Sequence, residues 1–139
     1  MGTWGSGPFD NDSADDLFDE LAPLSGPQRM SALLEILSGV AGGPDADNSK
    51  VLPDRVMAAA AVVAANTPSG ADLDWNEERP EIVDWLTKPV PTETLSEAVR
   101  ALEAALPPDS WYWTSWVDNE ERAEATENFN KLLRVLRTP

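Results

Sequence analysis

Residues 53–65 read PDRVMAAAAVVAA, and this stretch decides the fold. Four consecutive alanines, Ala58, Ala59, Ala60 and Ala61, are bracketed by Val56, Met57, Val62 and Val63. From Val56 onward no position is polar. A helix with no polar face is stable in water only when other elements cover it on all sides. Alanine pays no side-chain entropy on burial, and its methyl lets neighbouring backbones approach. The ten residues 56–65 fall well short of the roughly twenty that span a bilayer. The spacing therefore predicts a central, soluble-protein helix, capped near Asn66 and stopped by Pro68 and Gly70.

Working outward, the other periodic segments have one apolar stripe each, suited to packing on such a centre. Ala14, Leu17, Phe18 and Leu21 form a stripe that ends at Pro23 and Gly26. Asp10, Asn11, Asp12 and Ser13 all suit its N-cap. Met30, Leu33, Leu34 and Leu37 make a second, starting at Pro27, continued by Val40 and Ala41 and broken by Gly39, Gly42, Gly43 and Pro44. Leu95, Ala98, Val99, Leu102, Ala105 and Leu106 make a third after a Thr92 or Thr94 cap. A last helix from about Asp118 to Leu136 buries Ala125, Phe129, Leu132, Leu133 and Leu136. Its acids come first and Lys131, Arg134 and Arg137 last, as the helix dipole favours. Between these, residues 69–91 are irregular, with a short helix expected after Pro80 that turns Ile82, Val83 and Leu86 inward. Residues 111–116 (WYWTSW) hold three tryptophans and the single tyrosine. The expectation is one all-α domain over residues 1–139, a bundle of about five helices with irregular Pro- and Trp-rich connections. An irregular Gly-rich segment, residues 1–9, packs on it.

Composition excludes several chemistries. There is no cysteine and no histidine, so disulfides, thiolate nucleophiles, His-based triads and the commonest transition-metal ligands are all absent. Twenty-five acids against ten bases give a net charge of −15, spread over both halves. No basic patch is available for phosphates, which argues against nucleic acid and against anionic membrane. The opening MGTWGSGPF lacks a basic n-region and an apolar h-region. These features predict a cytoplasmic protein whose macromolecular partner, if it has one, is basic.

The start of the chain carries a more specific signal. Trp4-Gly5-x-Gly7-Pro8-Phe9-x-Asn11-Asp12, with Asp16 following, resembles the opening of the DUF4259 family of small bacterial proteins. The close likeness covers the first twenty or so residues. The resemblance implies membership of that family and a bacterial origin; it supplies no reaction, no cofactor and no catalytic residue.

Two candidate recognition surfaces follow from the residues themselves. One is Trp4 with Asp10, Asp12 and Asp16; the other is Trp75, Glu77, Glu78 and Trp85, where aromatic anchors stand among acids as in many protein interfaces. The packing alternative is that Trp4 and Phe9 plug the bundle, that Trp75 and Trp85 cover the core, and that the carboxylates face water. Calcium loops beginning at Asp10 or Asp45 both lack the required glycine and the final glutamate, and Gly5-Ser6-Gly7 lacks the lysine of a phosphate loop. The leading expectation is a small acidic interaction module for a basic protein, in its specific form an immunity-type inhibitor of a basic effector, with no cofactor. The alternative is a carboxylate-based metal-binding protein or hydrolase centred on Asp10, Asp12 and Asp16.

Overall fold

The computed structural model describes residues 12–41, 53–78, 80–86, 90–105 and 119–138. Five α-helices run through them: α1 (Asp12–Leu21), α2 (Gly26–Ala41), α3 (Pro53–Ala65), α4 (Thr92–Ala105) and α5 (Asn119–Arg137). Two 3-10 helices, Asp74–Glu78 and Pro80–Asp84, lie between α3 and α4. No strand occurs among the described residues, and the fold is all-α as the periodicity predicts.

The uniformly apolar α3 is the centre. Every residue from Val56 to Ala65 is buried, nine of the ten positions being aliphatic side chains no larger than valine and wholly inaccessible at 0%. Around it pack α1, α2, α4, α5 and the second 3-10 helix. Each neighbour contributes the stripe its sequence carries: Ala14, Leu17, Phe18 and Leu21 from α1, Leu33 and Leu37 from α2, Leu95, Ala98 and Leu102 from α4, and Ala125, Leu132, Leu133 and Leu136 from α5. Fully burying one such leucine or phenylalanine side chain contributes roughly 1.5–3 kcal/mol.

Helix α2 continues through Gly39 to Ala41, as far as the apolar pattern extended by Val40 and Ala41 reaches. A single interior glycine costs only about 1 kcal/mol relative to alanine, too little to end a helix already seated on α3. Its start is fixed by a reciprocal capping box. The Gln28 amide donates to Ser25 Oγ at 3.3 Å, and the Ser25 amide donates to Gln28 Oε1 at 3.0 Å. Two amides that the helix itself leaves without acceptors are thereby satisfied.

At the far end of α3 the chain is held by buried polar groups. Asn66, 2% exposed, donates from Nδ2 to the carbonyls of Val62 and Ile82, both at 2.8 Å, and accepts from the Leu86 amide at 3.1 Å. One side chain thus ties the second 3-10 helix to α3. Thr67 donates from Oγ1 to the Ala64 carbonyl at 2.7 Å and accepts from the Gly70 amide at 3.1 Å. Position 70 admits only glycine: a Cβ there would lie 1.9 Å from the Ala64 carbonyl oxygen. Asn76 closes the turn by donating to the carbonyls of Gly70 and Ala71 at 2.8 and 3.2 Å.

Candidate functional site

The short connection from α1 to α2 is pinned by a cation. Arg29 donates from Nε to the Leu21 carbonyl and from Nη2 to the Ala22 carbonyl, both at 2.9 Å, satisfying acceptors at the C-terminal end of α1. A positive group there also complements the helix dipole. Its Nη1 donates to the Trp85 carbonyl at 3.3 Å, and its guanidinium lies 4.9 Å from the Trp85 ring centroid. The edge of Phe18 meets the same indole at 5.9 Å and 72°. Trp85 is therefore packed between a phenyl edge and a cation, 8% exposed.

Trp75 is buried as well, at 9%, with Lys131 Nζ 5.9 Å from its ring centroid. Its Nε1 and the neighbouring Asn76 Oδ1 are buried without a hydrogen-bond partner among the described residues. Both tryptophans of the second candidate surface thus belong to the core. Around them Glu77 is exposed and Glu78 ends the first 3-10 helix. Asp72, Glu81 and Asp84 are exposed on the same connection.

Of the first candidate surface, Trp4 and Asp10 lie outside the described residues, as does the cluster at 111–116. Asp12 is the first residue of α1. Asp16 stands on the exposed side of α1 with Asp19 and Glu20. The structure thus brings Asp16 into an acidic ridge along α1, apart from Glu77 and Glu78 in sequence and in secondary structure. Among the described residues no group of three or more acids is placed to hold a metal ion.

The ridge borders a cleft of about 610 Å³, lined by Leu17, Glu20, Leu21 and Leu24, by Ala32, Glu35 and Ile36 of α2, and by Arg55 of α3. It exists because α1 packs on α3 while α2 packs on α4 and α3, with little direct contact between α1 and α2. Leu17 and Leu21 are buried, whereas Leu24, Ala32 and Ile36 are half-buried. At the α3 side Arg55 grips Glu20 with both arms, Nη1 to Oε2 at 2.6 Å and Nη2 to Oε1 at 3.1 Å. That hydrogen bonding holds the Glu20 carboxyl below its ordinary value of 4.5. Sequence reasoning did not single out this cleft. Its signal was the pair Ala32 and Ile36, a second apolar row one position before Leu33 and Leu37, which makes the apolar arc of α2 wider than one neighbouring helix needs.

An all-α protein with an acidic ridge, an open apolar cleft and no catalytic constellation among its described residues belongs to no reaction class by its geometry. The family model for DUF4259, described as a domain of unknown function, matches residues 2–128, and the chain belongs to that family. No curated protein and no solved structure matches it. No helix among the described residues is long and apolar enough to cross a membrane.

Proposed function

We propose that this protein is an acidic interaction module that binds a basic protein in the cytoplasm, and in its specific form an immunity-type inhibitor that caps a basic effector. The observation that carries the reading is how the charges are used. The described cations are largely engaged within the molecule: Arg29 in caps and stacking, Arg55 with Glu20, Arg100 with Glu97 and Arg137 with Glu103. By contrast Asp16, Asp19, Glu35, Asp72 and Glu77 are exposed, with no hydrogen-bond or ion-pair partner among the described residues. With a net charge of −15, the surface attracts a basic partner and accelerates encounter with it. Two anionic alternatives, nucleic acid and acidic membrane, are repelled by the same field.

The test is affinity capture from native lysate with the tag after Pro139, at low and at high salt, read by mass spectrometry. The expected result is one basic protein retained at low salt and released at high salt. If purified components associate at a rate independent of ionic strength, the electrostatic basis of the reading is refuted.

A further inference from the structure

We infer that the cleft between α1 and α2 is the docking site for a basic amphipathic helix of the partner. This rests on the reading above that the protein binds a basic protein, and adds where and in what form. The floor is apolar: Leu17 and Leu21 lie beneath half-buried Leu24, Ala32 and Ile36. Its polar lining residues are all charged, and of these Arg55 is already matched by Glu20. No buried polar side chain in the lining is left to orient a small polar ligand, which such sites ordinarily require. The volume, about 610 Å³, is that of a concavity able to take several apolar side chains at once.

An exposed carboxylate lines the cleft on each side, Glu20 from α1 and Glu35 from α2. A helix presenting apolar residues at i, i+3 or i+4, and i+7 fills a groove of this kind, and lysines or arginines flanking that stripe would meet carboxylates on both walls. Glu35 has no partner among the described residues, so a cation reaching it displaces nothing. Glu20 is held by Arg55, so the cation at that wall is shared with an existing pair. A second copy of this chain is disfavoured as the occupant because it brings the same −15 charge to an already acidic rim.

The test uses the full chain and a synthetic helical peptide of leucine and lysine with its leucines on one face. A scrambled peptide of equal composition serves as control. Calorimetric titration is expected to show the faced peptide binding about tenfold tighter than the scrambled one. Glu35→Lys should weaken it about tenfold. The matched change Glu127→Lys, at an exposed α5 position, should weaken it less than about twofold. Leu24→Ala should weaken binding about fivefold and leave its salt dependence unchanged, since it removes only apolar contact. Circular dichroism confirms that each variant is folded. Equal weakening by Glu35→Lys and Glu127→Lys, or equal binding of the two peptides, overturns the cleft as the site. A basic partner captured from lysate in a salt-sensitive manner but indifferent to Glu35→Lys also removes the cleft while sparing the broader reading. Failure to capture any salt-sensitive basic partner removes the broader reading itself.

Discussion

Replacing Asn66 by alanine should be among the most damaging changes that leave the apolar core untouched. The side chain makes three hydrogen bonds in a site only 2% exposed. Truncation removes the partner of the Ile82 carbonyl and of the Leu86 amide, leaving both without the group that now satisfies them. A buried group stripped of its partner costs about 1–3 kcal/mol, so the two together cost about 2–6 kcal/mol. That is a large share of the roughly 5–15 kcal/mol by which a domain is stable. For a chain of this size it corresponds to a fall in Tm of about 10–20 °C. Urea denaturation followed in parallel by far-ultraviolet circular dichroism and tryptophan fluorescence distinguishes two outcomes. Concerted loss lowers the midpoint by both probes. Local release of the second 3-10 helix moves the fluorescence transition first, because Trp85 follows directly after that helix. Asn66→Asp keeps an acceptor for Leu86 but loses both donors, and places a charge in a buried site, so it should be no better than alanine. A loss below about 0.5 kcal/mol for Asn66→Ala, with coincident probes, would refute the argument that this residue holds the 3-10 segment to α3.

Gly70→Ala forces a Cβ to within 1.9 Å of the Ala64 carbonyl oxygen. The backbone must move, with an expected loss of at least about 1–3 kcal/mol by calorimetry, and a neutral outcome would show that the turn has slack. Arg29→Lys keeps the charge but cannot serve the Leu21, Ala22 and Trp85 carbonyls together while lying over the indole. We expect a loss of about 1–2 kcal/mol and a changed Trp85 emission, and wild-type emission would contradict the stacking role. For Glu20, the Arg55 hydrogen bond places the folded pKa below the unfolded value near 4.5. Its contribution is therefore present above the unfolded value and lost as pH falls through the folded one. Because the pair is solvent-exposed, Glu20→Gln should cost less than about 1 kcal/mol at neutral pH, and the gap between variant and wild type should close in acid. A gap that widens in acid would reverse the assigned sign.

The helices were legible in the sequence because each carries a stripe whose period leaves little choice. The centrality of α3 was legible for a plainer reason, its lack of any polar face. The inward set after Pro80 was also readable: Ile82 and Leu86 are buried and Val83 half-buried. The Asp74–Glu78 turn of 3-10 helix was not. Five residues of mixed polarity have no period, and what fixes them is Asn76 reaching back to Gly70 and Ala71. The tryptophans show the same limit. Trp75 and Trp85 among acids read equally as interface anchors or as core, and the choice is made by partners distant in sequence, Arg29 and Phe18 for Trp85 and Lys131 for Trp75. Arg29 itself gave no signal, since a lone arginine beside a helix start looks like any solvated charge. The cleft was hidden for a related reason. It arises where α1, α2 and α3 leave a gap between them, and no local pattern encodes how helices are placed around one another.

The way α1 and α2 pack bears on how the chain is made. Ribosomal synthesis delivers α1 and α2 first, yet α1 packs on α3, and α2 on α4 and α3, with little contact between the two. The leucines of the first two helices consequently emerge with nothing to cover them, and no subset of the N-terminal residues described here can close a core ahead of Ala65. Folding of this protein must wait for its alanine-rich middle, and for full cover of α2 also for α4, to clear the exit tunnel. Until then the apolar stripes of α1 and α2 remain uncovered on the nascent segment.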